Sequence, residues 1–314
     1  MGYNRRMIGD ENMLSVVIPV YNEEKRIKEN INEICKYLEK YEYELVLVDD
    51  GSKDRTWQLV KELHSENEKI KGVRFSRNFG KEIALCAGVD YTKGDAVITM
   101  DSDLQHDPKY IDDLVKEWEA GAKIVECVRK NRKKQSLKYK IFAGSFYKIM
   151  KKFTNLDLAN SLDYKIMDRK VVEDIKKLNE NNVFFRGFVE WVGYDKKQIE
   201  VDIRERVGDT SKFSFRSLTR LAMTAITSFS SSLLNIVTIL GGIFMIGAII
   251  LGVHTIWNKI FGHAVDGFTT VIILLLIVGS CILFSLGIIG TYIARIYNEV
   301  KARPRYIVSE TAEK

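Results

Sequence analysis

Cysteine is scarce in this chain: four thiols in 314 residues, Cys35, Cys86, Cys127 and Cys281, far apart and each set in an apolar pattern. That spacing excludes a disulfide framework and the paired-cysteine motifs of zinc sites, and it fits buried thiols in a reducing compartment. Internal repeats and low-complexity segments are also missing, which excludes solenoids and compositionally biased tails. Residues 1–12 are polar and lack the apolar core of a secretory signal. They are expected to be a loose leader.

What the chain does contain, over its first two thirds, is an alternation of short apolar runs and helical periods. Leu14–Val20 reads as a buried strand, with Pro19 near its end, where a missing N–H is tolerated. Ile27, Ile31, Ile34 and Leu38 then recur at helical spacing. Glu44–Asp50 reads as a second strand, Gly51 as a turn, and Ser52 as the cap of a helix that carries Trp57, Val60 and Leu63 inward. Lys71–Phe75, Asp95–Met100 and Ile124–Val128 supply further strands. Gly80–Tyr91 supplies a helix whose Ile83, Ala84, Ala87 and Gly88 form a small-residue face. This pattern predicts an α/β domain over residues 13–212, with a mostly parallel sheet covered on both faces.

The stretch Asp101-Ser102-Asp103-Leu104-Gln105-His106-Asp107-Pro108 leaves the C-terminal end of a predicted strand, where ligands bind in open α/β sheets. Asp107 before Pro108 reads as the cap of the next helix, with Ile111, Leu114, Val115 and Trp118 on its inner face. In extended backbone alternate residues point the same way, so Asp101, Asp103 and Gln105 are expected to present three oxygens together. Such a set suits Mg²⁺ or Mn²⁺, which combine one or two carboxylates with substrate phosphates. A bare Asp-x-Asp is also a common solvated turn; the strand before it and the cap after it favour the metal. Pro19–Glu23, Asp49–Ser52 and Arg77–Lys81 are predicted on the same edge of the sheet.

The composition changes near Leu233. Leu233–Trp257 and Phe268–Ile293 carry no formal charge, and each exceeds the roughly 20 residues that span a bilayer. Residues 233–294 are therefore expected to form a transmembrane hairpin, with Gly241, Gly242, Gly247, Gly287 and Gly290 allowing close helix packing. Arg220 before the hairpin, and Arg295, Lys301, Arg303 and Arg305 after it, place both flanks in the cytoplasm, the last as a basic tail over 295–314. Residues 213–232 carry an apolar stripe, with Lys212 just before them and Arg216 and Arg220 within them recurring every four residues on the other side, the pattern of an interface helix and also of an ordinary core helix. The basic segment 129–152 interleaves with Phe142, Phe146 and Tyr147. The apolar segments downstream favour anionic lipid over nucleic acid as its partner.

Taken together, these stretches resemble the inverting family 2 glycosyltransferases of GT-A fold, specifically the polyprenyl-phosphate glycosyltransferases. The likeness runs from about Leu14 to Lys212, and the paired C-terminal spans fit the bacterial and archaeal members. The resemblance implies that Asp101, Asp103 and Gln105 hold the divalent ion, and that Asp50 reads the donor's base. It implies that Pro19, Tyr21 and Glu23 line the nucleoside pocket, where Pro19 and Tyr21 are equally explained by packing, and that Ser102 sits beside the ribose. Lys81 joins the donor-binding set. Arg129 ends the fifth strand as a similar arginine does in the family, and Arg206-Val207-Gly208-Asp209-Thr210-Ser211-Lys212 resembles its Arg-x-x-Gly-x-Ser-Lys loop. Arg206 and Lys212 are accordingly assigned to the diphosphate or the acceptor phosphate. Asp163 aligns with a family aspartate followed by Phe-Arg, here Tyr164-Lys165. Arg186, Gly187 and Trp191 resemble positions on the membrane-facing side.

The resemblance implies transfer of a sugar, UDP-glucose being the expected donor ahead of UDP-N-acetylglucosamine and GDP-mannose, to undecaprenyl phosphate. A lipid phosphate monoester, with its second pKa near about 6, is already largely dianionic at neutral pH. Asp163 is therefore expected to orient a hydroxyl or the acceptor more than to act as a base. Asp103, Asp163, Arg206 and Lys212 form the expected catalytic set, and the small-residue faces permit a homo-oligomer. A polymerising synthase is disfavoured, because the chain has no Gln-x-x-Arg-Trp motif. A degenerate scaffold is disfavoured by the intact acidic run.

Overall fold

In a computed structural model, eight strands form one sheet in the order β7-β5-β6-β4-β1-β2-β3-β8. The structure describes residues 12–129, 161–202, 230, 232–261 and 267–313. The strands are β1 Leu14–Val20, β2 Tyr43–Asp49, β3 Ile70–Phe75, β4 Ala96–Thr99, β5 Ile124–Arg129, β6 Ser161–Asp168, β7 Lys196–Val201 and β8 Val308–Ala312. The five expected strands are all present. β1 pairs in parallel with β2 and β4, as does β2 with β3 and β5 with β7. β6 lies antiparallel between β4 and β5, and β8 runs antiparallel along β3.

Helices α1 Ile27–Leu38, α2 Thr56–Glu66, α3 Lys81–Asp90, α4 Ile111–Glu119, α5 Arg169–Lys176 and α6 Phe185–Trp191 accompany the sheet. Strand side chains alternate in direction. Val16, Ile18, Leu45, Leu47, Tyr164 and Ile166 join the inner faces of α1, α2 and α4 in one apolar core. Residues of opposite parity face the α3 side, and the approach there is tight: a Cβ added to Gly88 would fall 2.2 Å from Cγ1 of Val17.

Two local expectations are corrected. Ser52 does not cap α2; Asp54 Oδ1 accepts from the Thr56 backbone N–H at 3.0 Å, while Ser52 Oγ accepts from the Asn22 N–H at 2.9 Å. Asp107 does cap, accepting from the Lys109 N–H ahead of the 3₁₀ turn that opens α4. The run after β4 is not extended: Leu104 has φ 52°, so the chain turns between Asp103 and Gln105. Strict alternation of side chains through Asp101, Asp103 and Gln105 therefore does not hold.

The described residues divide into two compact units. One is the sheet with its helices, and it includes the chain from Pro304 onward; the other contains the apolar helices α7 Ser232–Ile260 and α8 Phe268–Val300. The expectation of a basic tail as a separate segment over 295–314 is thus corrected at both ends, since α8 continues to Val300 and β8 rejoins the sheet. Glu310 accepts from Trp57 Nε1 at 2.6 Å and pairs with Lys61 at 3.0 Å; Tyr306 stacks on Phe75 and donates to Asp90. Leu234–Asn258 and Leu274–Val300 are long and apolar enough to cross a membrane. The glycines expected at a close helix contact (Gly241, Gly242, Gly247, Gly287, Gly290) have nothing within 4 Å of an added Cβ, so that packing expectation is not met among the described residues. The interface segment 213–229, the basic segment 130–152 and the leader to residue 11 lie outside the described residues.

Gly88→Ala tests the α3–β1 approach. Overpacking there is expected to cost about 1–3 kcal/mol, outweighing the helix-propensity gain of about 1 kcal/mol. Thermal unfolding in detergent should show a lower Tm, and an unchanged Tm would contradict the described approach.

Candidate active site

The carboxyl ends of β1, β2 and β4 and the start of α3 enclose a cleft of about 390 Å³, lined by Pro19, Val20, Tyr21, Glu23, Asp50, Asn78, Gly80, Lys81, Asp101, Ser102 and Asp103. The four stretches expected on one sheet edge do converge. Backbone lacing holds them there. Glu23 N–H donates to Thr56 Oγ1 at 2.8 Å, and Lys53 N–H donates to Asn22 Oδ1 at 2.9 Å. Asn22 has φ 53°, a conformation asparagine tolerates better than most residues. Gly51, at φ 69°, has no room for a side chain, since its Cβ would meet the Arg77 carbonyl carbon at 2.4 Å.

Asp50 is buried, and its two oxygens accept from the backbone N–H groups of Phe79 and Gly80 at 2.6 and 2.9 Å. Burial pushes its carboxyl up from the ordinary range, against the pull of those two donors. Asp50 thus shapes the 77–81 loop as well as facing the cleft. Asn30, which breaks the apolar face of α1, donates from Nδ2 to the Ser102 carbonyl at 2.7 Å and anchors the acidic turn. That break in periodicity was its signal in the sequence.

Behind the cleft lies Asp163, 2% exposed. Odd-numbered residues of β6 face away from the core that holds Tyr164 and Ile166, so Asp163 points toward α3 and α6. Arg186 in the first turn of α6 donates from Nε to Oδ1 at 2.5 Å and from Nη2 to Oδ2 at 2.8 Å. Lys81, the first residue of α3, donates from Nζ to Oδ2 at 2.6 Å and also pairs with Asp101 Oδ1 at 2.5 Å. Burial opposes ionisation of Asp163, but the Arg186 guanidinium and then the Lys81 ammonium outweigh it and hold the carboxyl well below the usual range. Glu82 accepts from the Phe185 N–H at 2.7 Å and so ties the first turn of α3 to that of α6. Its own carboxyl is pushed up by burial and by the Asp163 charge.

The buried charge continues along β6. Lys165 lies 4.0 Å from Glu126, which also accepts from Gln198 Nε2 at 2.8 Å and pairs with Lys196 at 3.3 Å. Burial lowers the Lys165 pKa from its ordinary value. Beneath the acidic turn, Gln105 Nε2 and His106 Nδ1 are buried without a hydrogen-bond partner among the described residues.

Of the expected site residues, Pro19, Tyr21, Glu23, Asp50, Lys81, Asp101, Ser102 and Asp103 line the cleft, and Asp163 is joined to it through Lys81. Gln105 is not part of the wall. Arg129 sits at the exposed end of β5, opposite Val201, and is not in the wall either. Arg206 and Lys212 fall outside the described residues. Sequence reading missed Asn30, Glu82 and His106, and it gave Arg186 a peripheral place.

As for a divalent ion, no group of three His, Cys, Asp or Glu side chains suited to a metal occurs among the described residues. Two carboxylates on the cleft wall still fit an ion that takes its remaining ligands from a phosphorylated substrate. Asp101 already holds a cationic group, the Lys81 ammonium, against one oxygen.

An α/β sheet with paired acids at the strand ends and a cleft beside them is the build of an enzyme that takes its ligand at the carboxyl edge of the strands. Residues 15–176 match the family described as Glycosyl transferase family 2. The uncharacterized glycosyltransferase YkcC of Bacillus subtilis is 37% identical over 302 residues, 95% of this chain and 93% of that one. The bactoprenol glucosyl transferase of Shigella phage SfX is 38% identical over 299 residues, 94% of this chain and 98% of that one. Among solved structures, the mannosyltransferase PcManGT from Pyrobaculum calidifontis, in complex with GDP-Man and Mn²⁺, is similar at 19% identity. It covers 70% of this chain and 64% of that one, with a TM-score of 0.49. The chain belongs to glycosyl transferase family 2.

Arg186→Ala tests the clamp on Asp163. With Lys81 still covering one oxygen, the stability loss should fall at the lower end of the about 3–5 kcal/mol that breaking a buried pair costs. Without the guanidinium the Asp163 pKa rises. The depressed value contributes stability and charge that are present above the ordinary carboxylate range, of about 4, and lost only as pH falls further. The acid limb of kcat should therefore move to higher pH in Arg186→Ala. Coincident acid limbs would contradict the clamp.

Proposed function

We propose that this enzyme transfers glucose from UDP-glucose to undecaprenyl phosphate with inversion at the anomeric carbon. The observation that carries the reading is a cleft whose wall bears Asp101 and Asp103, with a buried Asp163 behind it, joined through Lys81 and held well below the usual carboxylate range by Arg186 and Lys81. Identity of 38% along nearly the whole chain to a bactoprenol glucosyl transferase supports the lipid acceptor.

The nucleoside lies between Pro19, Tyr21 and Glu23, with Asp50 reading the base; each carboxylate oxygen keeps a second lone pair after accepting one backbone N–H. Ser102 lies beside the ribose. Asp101 and Asp103, with Gln105 behind them, would hold Mg²⁺ or Mn²⁺, which when bound neutralises the departing diphosphate without proton transfer. Arg206 and Lys212 meet the diphosphate or the acceptor phosphate, with Arg129 contributing from the end of β5. The acceptor oxygen attacks from the face opposite the nucleotide. It arrives largely deprotonated, so a fixed anion serves the reaction better than a titrating base. Asp163, with both oxygens occupied by cationic donors, orients the sugar or the acceptor and does not collect a proton.

The lipid acceptor requires a membrane. The chain leaves the sheet unit, runs through α7 and α8, and returns to the sheet as β8. If each apolar helix crosses once, both ends of the hairpin lie on the side of the cleft. Arg295, Lys301, Arg303 and Arg305 then favour the cytoplasm. Transfer at an inner or plasma membrane, and a homo-oligomer, complete this reading.

The test is a donor panel with purified protein, undecaprenyl phosphate and the lipid product identified by mass spectrometry. UDP-glucose with manganese should yield a single hexose on the lipid. Product only from UDP-N-acetylglucosamine or GDP-mannose would reassign the donor, and a polymer would overturn the acceptor. Asp103→Asn should lose at least about 10²-fold in kcat, the scale of a lost transition-state charge partner. Arg206→Ala should lose turnover while the protein still folds and embeds.

A further inference from the structure

Lys81 stands between two carboxylates of different character. Asp163 has a side chain 1% exposed and already holds a two-pronged partner in Arg186. Asp101 has a side chain 26% exposed and lies on the cleft wall. Lys81 itself is 41% exposed, on a flexible four-carbon stem at the very start of α3. The residue before it is Gly80, at φ 103° and with no atom within 4 Å of an added Cβ. Lys81 is thus a partly exposed cation, and Asp163 has a second, two-pronged cationic partner in Arg186 if the ammonium moves.

Its position is more informative than its mobility. Nζ lies 2.5 Å from Oδ1 of Asp101, and that oxygen belongs to one of the two wall carboxylates on which a divalent ion would sit. Two cations cannot share one carboxylate oxygen at such distances without strong repulsion. We propose that Lys81 is a displaceable counter-cation, whose ammonium competes with the divalent ion for Oδ1 of Asp101 and turns into the cleft when it is displaced. This rests on the reading of Asp101 and Asp103 as ligands of that ion.

Two consequences follow from the competition. The ion alone binds against a resident cation and so binds weakly. A nucleotide diphosphate offers the displaced ammonium a new anionic partner, since Lys81 lines the same cleft. Ion and diphosphate should therefore strengthen each other's binding, and by linkage the coupling must be reciprocal. Asp163 keeps its charge through the exchange because Arg186 stays in place. Lys81 thus acts as a positioning residue that moves between the ion's ligand and the donor's phosphates. A merely structural lysine would make the site weaker when lost, not stronger.

The experiment is manganese binding to the full-length protein in detergent, followed by electron paramagnetic resonance, with and without UDP. In Lys81→Met, which keeps the stem and removes the charge, manganese alone should bind at least tenfold tighter than in the wild type. The factor by which UDP tightens manganese should shrink toward one. Equal or weaker manganese binding by the variant overturns the competition while leaving the metal reading standing. No manganese binding by either protein takes down both. A wild-type measurement serves if the variant does not fold: labelling of Lys81 by an amine-reactive reagent, read by mass spectrometry, should rise several-fold on saturation with manganese. Unchanged labelling overturns the proposal.

Discussion

One buried carboxylate organises this enzyme. Asp163 sits on the middle antiparallel strand of an otherwise largely parallel sheet, and its charge is met from two helices at once, by Arg186 at the start of α6 and Lys81 at the start of α3. Ion pairs of this kind are weak arguments for stability, because desolvating each charge costs several kcal/mol and the attraction only offsets that. What the arrangement fixes is position. Arg186 and Lys81 cannot both reach Asp163 unless the two helix starts are brought together, and Glu82 adds a backbone tie between the same two turns. Through Lys81 the constraint reaches Asp101, and through Asn30 and Ser102 the acidic turn is pinned to α1.

The sequence was most informative where one physical signal dominated. The apolar runs of β1, β2 and β4 and the periodic faces of α1 and α2 were legible because burial on both sides leaves little choice of residue. β6 was not legible as a strand: its exposed-looking Asp163 and Lys165 are buried charges, which only tertiary partners explain. β7 is a polar edge strand and β8 a short polar strand far along the chain, so neither carries a core pattern. The cleft was legible as four loops on one edge, yet the alternation that grouped Asp101, Asp103 and Gln105 gives way at Leu104 to a left-handed turn. Glu82 and Arg186 act through partners up to about a hundred residues away and no local pattern announces them, while Asn30 showed only as a polar break in the apolar face of α1.

The apolar C-terminal helices invert this balance. Composition alone marked two long apolar helices, whereas the return of the chain to β3 after them was invisible in a segment that reads as a basic tail. That return makes the hairpin an insertion within the catalytic unit, secured on its C-terminal side by Glu310, Tyr306 and the β3 ladder.

The central claim is that these acids receive the diphosphate of a nucleotide-sugar in front of a fixed anion. A structure of the full chain in lipid nanodiscs with UDP and manganese tests it most directly. The account predicts the nucleoside against Tyr21 and Asp50, the pyrophosphate over Asp101 and Asp103 with the ion between them, and Asp163 still gripped by Arg186. A nucleotide bound elsewhere on the sheet, or an acidic turn facing away from the phosphates, would contradict it.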